Sequence, residues 1–361
     1  MDKIRVELGK DSYDIHLGYG LWRELSSFIM GRGYSRKTLV VTDEHVGSLY
    51  GEETCQTLKR VGLKPKLATI PAGESSKSLQ VADNIYTELI EQGMDRKSPI
   101  FALGGGVVGD LAGFVAATYL RGVPLIQMPT TLLAQVDSAV GGKVAVNHPL
   151  GKNLIGAFYQ PEAVFMDMEL LSSLPKREIP TGLGEIVKYG VIYDRDFFAY
   201  LEEHSEGARS LEPATAMHMV KRSCEIKAAV VSKDEKESGL RRILNFGHTV
   251  AHAIEQVTGY TRYNHGEAVS IGMVAAAFIS RDLGLVGDAE VTRLQKLMTA
   301  LDLPQKVTGV ATEDLFAVIF RDKKTVNGKV NWVLMNDIGE VTVTSKVPSE
   351  VAQKAIAACI A

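Results

Sequence analysis

The six residues at 104–109, GGGVVG, constrain the fold of this chain more than any others. They satisfy G-x-G-x-x-G where that pattern has physical meaning. An apolar run, SPIFAL at 98–103, ends directly before them, and a helical period at 110–120 follows. Glycines let the backbone turn tightly and approach a pyrophosphate. The helix start beyond supplies unpaired N–H groups and the positive end of a dipole. Alone, the motif leaves a plain strand-to-helix turn open. Two details depart from the usual fingerprint. No acid follows at about 20 positions to hold a ribose; the next is Asp137, so Asp43, closing the run TLVVT at 38–42, is the better candidate. Asp110 puts an anion where a phosphate would be repelled, which assigns it to the nicotinamide end or to a helix cap.

The surroundings of the turn alternate strand and helix. Ile4–Leu8 and Tyr13–Leu17 read as a hairpin, and Thr38–Thr42, Pro65–Ile70, Ser98–Leu103 and Pro124–Met128 as strands. Helical periods at 46–61, 78–92 and 110–120 lie between them. This predicts an α/β, Rossmann-like domain with a mostly parallel sheet. From about 180 onward helical periods dominate, at 182–193, 195–204, 212–232, 245–258, 265–283, 287–301 and 312–321, broken by a hairpin at 329–344. A length of 361 residues exceeds one ordinary core. The expectation is therefore an α/β domain at 1–175 and a mainly α-helical domain at 180–361, hinged between Pro175 and Pro180.

Charge and cysteines exclude several classes. A net charge of −3 without a basic block argues against nucleic acid. Three scattered cysteines, Cys55, Cys224 and Cys359, fit a reducing compartment rather than a disulfide framework. No apolar stretch is long enough to span a bilayer, and the first residues carry no signal-like core, so a cytoplasmic protein is expected.

Two further clusters carry chemistry. Pro129–Lys143 mixes Thr, Gln, Asp, Ser and Lys with Gly141-Gly142 after a strand, where open α/β sheets bind ligands. Lys143 and Lys152-Asn153 add charge suited to a small anion. In the helical half, His248, His252 and His265 fall within a short span, and Glu185 is an acid among small and apolar residues. Two histidines and a carboxylate make a catalytic zinc pattern, although spacing alone leaves open which histidines ligate. His16, His45, His148, His204 and His218 lack such company and read as surface or packing residues. Arg241 shares a face with Asn245 and His248 if one helix runs through all three.

Together these segments resemble the 3-dehydroquinate synthase family of sugar phosphate cyclases. The resemblance covers nearly the whole chain: PAGESSK at 71–77, ALGGGVVGDLAGFVAATYLRG at 102–122, PTTLLAQVDSAVGGKVAVN at 129–147, GKNLIGAF at 151–158, GLGEIVKYG at 182–190, KAAVVSKDEKESGLRRILNFGHTVAHAIE at 227–255, HGEAVSIGM at 265–273 and DKK at 322–324. It implies a metal, zinc or cobalt, on Glu185, His248 and His265, with His252 a substrate contact. It implies NAD contacts at Asp43, Gly73, Glu74, Lys77, Gly106, Val107, Val108, Gly109, Asp110, Thr130, Thr131, Lys143 and Lys152, and along Leu170, Leu171, Ser172 and Ser173, where the family often has Thr in place of Ser173. Substrate contacts would fall on Asp137, Lys143, Asn153, Lys188, Lys227, Arg241, Asn245 and His252. One lysine of Lys323-Lys324 would join them, and Arg121 would reach in from the second subunit of a homodimer.

The implied reaction takes 3-deoxy-arabino-heptulosonate 7-phosphate through transient oxidation by NAD, phosphate elimination, re-reduction and an internal aldol closure, with metal and nicotinamide facing one carbinol carbon. The rivals are a cyclase of neutral sugar phosphates, a metal-dependent polyol or glycerol-phosphate dehydrogenase, and a non-catalytic NAD sensor.

Overall fold

The structure is a computed structural model that describes residues 1–321 and 330–361; Lys323 and Lys324 lie outside them. The chain forms two compact units. The first comprises Met1–Leu174 with Lys227–Lys236, and the second Pro175–Ile226 with Glu237–Ala361. The segment at 227–236, which the sequence assigns to the second domain, therefore groups with the first.

The first unit is built on a seven-stranded sheet. The expected hairpin is present as β1 (Asp2–Val6) and β2 (Tyr13–Gly18). The expected strands follow as β3 (Lys37–Asp43), β4 (Lys64–Ile70), β5 (Ile100–Gly104) and β6 (Leu125–Pro129). The sequence reading leaves the next three without an element. β7 (Lys143–His148) and β8 (Gly151–Phe158) form a separate antiparallel hairpin, and β9 (Ala163–Asp167) enters the main sheet. The sheet order is β1-β2-β9-β6-β5-β3-β4, parallel except for the β1–β2 pair.

Alternate residues of the same strands feed two apolar layers. Leu39, Val41, Ile100, Ala102 and Leu125 pack with Ala82 and Ile85 and with Leu111 and Val115. Val40, Phe101, Leu103 and Ile126 pack with Leu25, Ile29 and Leu58. Burial on both faces is why these strands read as continuous apolar runs.

The second unit is mainly helical, with helices Ile179–Tyr193, Arg195–Glu203, His248–Val257, His265–Asp282, Asp288–Ala300, Thr312–Arg321 and Ser349–Ala358. The long helix Pro213–Lys233 leaves this unit after Ile226. β10 (Trp332–Asp337) and β11 (Glu340–Thr344) form the expected hairpin. One expectation fails. The helix predicted at 245–258 does not continue back through Arg241. Leu240–Asn245 is a 3-10 turn, and Gly247, at φ 82, breaks the chain before His248. Arg241 and His248 therefore share no helix face. The left-handed backbone at Gly247 is one that a residue with a Cβ rarely adopts. Among the described residues, no helix is long and apolar enough to cross a membrane, and all three cysteines are buried and outside any disulfide.

Candidate functional site

Strand order reverses between β3 and β5, since β4 lies beyond β3 on one side and β6 beyond β5 on the other. Ligands of open α/β sheets bind at the carboxyl ends of strands at such a point. Thr42 pairs with Leu103, and Gly104 with Pro129. Asp43, the glycine turn and Thr130-Thr131 therefore lie at three adjacent strand ends. The Thr130 N–H donates to the Gly104 carbonyl at 3.0 Å.

The turn is tight because its neighbours leave no room. A Cβ on Gly104 would lie 2.6 Å from Val108, and one on Gly109 would lie 2.9 Å from Gln127 Oε1. The helix begins at Gly106, four residues earlier than the sequence pattern places it, so Asp110 sits inside the helix and does not cap it. Its Oδ2 accepts a hydrogen bond from Lys77 Nζ. Burial holds the Asp110 carboxyl above the ordinary carboxylate range, although Lys77 pulls the other way. Asp43 uses Oδ1 to accept from the backbone N–H groups of His45 and Val46, at 2.9 and 3.0 Å, while Oδ2 takes part in neither bond.

The other first-unit residues cluster on loops and on the β7–β8 hairpin. Gly73, at φ 105, precedes Glu74, whose Oε1 accepts from Asn147 Nδ2 at 2.7 Å. Asn147 Oδ1 in turn accepts the backbone N–H of Asn153 at 2.9 Å, and Asn153 holds φ 57. Lys143 is exposed at the start of β7 and Lys152 half-buried in β8. Lys227 Nζ donates to both the carbonyl and Oδ1 of Asp137. Leu170 and Leu171 are buried, whereas Ser172 and Ser173 are exposed.

In the second unit, Glu185, His248 and His265 each offer a ligand atom, all within 4.8 Å of one another. His248 Nε2 and His265 Nε2 both lie 3.5 Å from Glu185 Oε1. Zinc bonds of about 2.0–2.2 Å at tetrahedral angles separate ligand atoms by about 3.4 Å. The donor set therefore fits one divalent ion. His252 is exposed and outside this group, its ring centroid 5.5 Å from that of His248.

Glycines beside the ligands set this spacing. A Cβ on Gly184 would stand 2.4 Å from the Gly266 carbonyl oxygen, one on Gly266 2.1 Å from that of Thr181, and one on Gly272 2.0 Å from that of Gly247. Backbone thus meets backbone next to Glu185, His265 and His248. Close-packed helices cannot slide freely, so the three donors are held in place before any ion arrives.

Each donor is also steadied from behind. Lys188 Nζ, buried with Glu185, donates to Glu185 Oε2 and so leaves Oε1 toward the imidazoles. His248 Nδ1 lies 3.2 Å from the Phe246 carbonyl, and His265 Nδ1 lies 3.4 Å from Glu255 Oε1. Burial pushes His248 down to about 3, outweighing the pull of Glu185. Burial also works to lower His265, but hydrogen bonds and charge from Glu185 and Glu255 outweigh it and hold the imidazolium up to about 10. A metal would replace that proton.

Arg241 is 2% exposed within its 3-10 turn, and Asn245 Nδ2 donates to Glu237 Oε1. The sequence reading names neither Glu237 nor Glu255. Glu255 had a signal: an acid seven residues past His248 on the same helix, buried among Ala253 and Ile254.

Comparison with known proteins agrees with this geometry. The family model described as 3-dehydroquinate synthase N-terminal matches residues 67–181, and the C-terminal model matches 182–325. The 3-dehydroquinate synthase of Desulforamulus reducens is 47% identical over 348 residues, covering 96% of this chain and 97% of the relative. Among solved structures, the chain is similar to 2-epi-5-epi-valiolone synthase from Streptomyces hygroscopicus subsp. jinggangensis, which has NAD+ and Zn2+ bound. The TM-score is 0.88 and the identity 27%, over 96% of each chain. It is also similar to a 2-deoxy-scyllo-inosose synthase complexed with carbaglucose-6-phosphate, NAD+ and Co2+. There the TM-score is 0.90 and the identity 26%, over 98% of this chain and 99% of that one.

Proposed function

The chain belongs to the 3-dehydroquinate synthase family, and from that premise we propose that it catalyses the family's reaction, converting 3-deoxy-arabino-heptulosonate 7-phosphate to 3-dehydroquinate and phosphate. It is a carbon–oxygen lyase that depends on NAD and a divalent metal, zinc or cobalt. The reaction passes through transient oxidation, phosphate elimination, re-reduction and aldol closure. When bound, NAD supplies an oxidation that is later returned, and the metal supplies positive charge where an alcohol is oxidised. The observation that carries the reading is the Glu185, His248 and His265 triad, its donors within 4.8 Å, in a chain 47% identical to a 3-dehydroquinate synthase.

The residue roles are our own reading. Glu185, His248 and His265 hold the metal. The NAD-binding domain is 1–175. There Asp43 takes the ribose, the turn through Gly106–Asp110 takes the pyrophosphate, and Gly73, Glu74, Lys77, Thr130, Thr131, Lys143, Lys152 and Leu170–Ser173 complete the contacts. Domain 180–361 holds the metal. The substrate's carboxylate, phosphate and hydroxyls fall to Asp137, Lys143, Asn153, Lys188, Lys227, Arg241, Asn245 and His252. Lys188, Lys227 and Arg241 are buried cations among the proposed substrate contacts, and positive charge there suits an acidic sugar phosphate. The enzyme works in the cytoplasm as a homodimer, and Arg121 serves the partner's site. In support, Arg121 is exposed in a turn with three successive positive φ values: Leu120 at 50, Arg121 at 68 and Gly122 at 124. Such strain persists where the surroundings and the function require it.

The test is incubation with the heptulosonate phosphate, NAD and zinc. Phosphate release without net NADH is the expected result. Stoichiometric NADH would instead support the dehydrogenase reading.

A further inference from the structure

We infer that Glu255 is a positioning residue for the metal centre: its carboxylate fixes the tautomer and ring orientation of His265. The inference rests on the reading of Glu185, His248 and His265 as ligands. Glu255 is 6% exposed on the His248–Val257 helix, and its Oε1 lies 3.4 Å from His265 Nδ1. That nitrogen points away from the donor cluster, since His265 Nε2 is the atom 3.5 Å from Glu185 Oε1. An acceptor at Nδ1 requires that Nδ1 carry the proton, which leaves the Nε2 lone pair for a metal.

The carboxylate does more than the Phe246 carbonyl does behind His248, at 3.2 Å from Nδ1. It carries charge, so it strengthens the imidazole as a donor and offsets part of the ion's charge. It also spans two elements. Glu255 belongs to the helix that begins at His248, whereas His265 opens the next one. The contact therefore ties the second histidine ligand to the helix of the first.

The experiment strips the full-length protein of metal and titrates zinc against a chromogenic chelator, with the visible spectrum of the Co2+-loaded protein as second readout. E255A should weaken zinc binding about 10–100-fold and shift the Co2+ bands. E255Q keeps an acceptor without charge and should lose about 10-fold relative to the parent, less than E255A. Parent-like affinity and spectrum in E255A would overturn the inference. Should E255A not fold, E255Q decides alone: a loss of that size supports the inference, and parent-like binding overturns it. A parent protein that binds no metal would overturn the ligand assignment itself, which is a distinguishable failure.

Discussion

Lys227 Nζ lies 2.6 Å from both the backbone carbonyl oxygen and Oδ1 of Asp137. One ammonium thus ties the end of the Pro213–Lys233 helix to the wide turn Ala134–Ser138. The Lys227 side chain is 6% exposed and that of Asp137 24%. Removing the lysine takes a charged donor away from a partly buried carboxylate and a carbonyl. Lys227→Met is therefore expected to destabilise the protein by about 1–3 kcal/mol, measured by chemical denaturation. Asp137→Asn should cost less, because the amide still accepts. The double variant should cost less than the sum. Additive losses would remove the pairing from the account. Each single variant should also lower kcat/KM at least about tenfold, the size of one lost charged hydrogen bond.

The sequence made the parallel sheet legible because its central strands are buried on both faces. TLVVT at 38–42 and SPIFAL at 98–103 could be little else. The β7–β8 hairpin was not legible. β8 has no buried residue, and Leu154 and Phe158 are turned to solvent, so its apolar residues do not mark an inside face. The helix break at Gly247 was hidden for a different reason. A glycine within a helical period is compatible with a continuous helix, and the crowding that leaves no room for a Cβ there comes from Met273 and Val269, distant in sequence. The grouping of Glu185 with two histidines was legible as chemistry. What holds it, backbone contact at Gly184, Gly266 and Gly272, depends on which helices cross, and no local pattern encodes that.

Metal uptake should release a proton. In the metal-free protein His265 is held protonated up to about 10, while His248 is neutral above about 3. Between pH 7 and 9 one imidazolium must give up its proton for each ion bound. Titration calorimetry in buffers of different ionisation enthalpy should therefore return about one proton per metal. Zinc affinity should rise by about tenfold per pH unit across that window and level off above pH 10. The sign for stability is opposite. A raised folded-state value means that His265 stabilises the metal-free fold fully below its ordinary 6.5 and loses that contribution as pH climbs through about 10. Proton release near zero at pH 8 would show that His265 is already neutral.

Arg241→Lys should separate substrate binding from NAD binding. The guanidinium is buried in the Leu240–Asn245 turn, where a planar fork of donors can meet a carboxylate at two points and an ammonium cannot. Losing one charged hydrogen bond raises KM for the heptulosonate phosphate about 10–100-fold. The Kd for NAD, followed by protein fluorescence, should stay within about twofold, because the proposed NAD contacts lie on other residues. Equal weakening of both would count against the proposed role.

Gly266→Ala tests whether helix crossing sets the metal geometry. The new methyl would stand 2.1 Å from the Thr181 carbonyl oxygen, a rigid backbone atom. The helices Ile179–Tyr193 and His265–Asp282 must then separate by about 1 Å or more to reach ordinary contact, carrying Glu185 away from His265. Catalytic metal sites lose function at displacements of that size, so zinc affinity should fall by about 10–100-fold. Overpacking alone would also lower stability by about 1–3 kcal/mol, and a control must separate the two effects. Gly113→Ala supplies it: its methyl would meet Val144 Cγ1 at 2.3 Å within the first unit. That variant should lose comparable stability in thermal denaturation yet bind zinc like the parent in equilibrium dialysis. If both variants bind zinc equally well, the close crossing at Gly266 is a packing feature and the ligands are held by their hydrogen-bond partners instead.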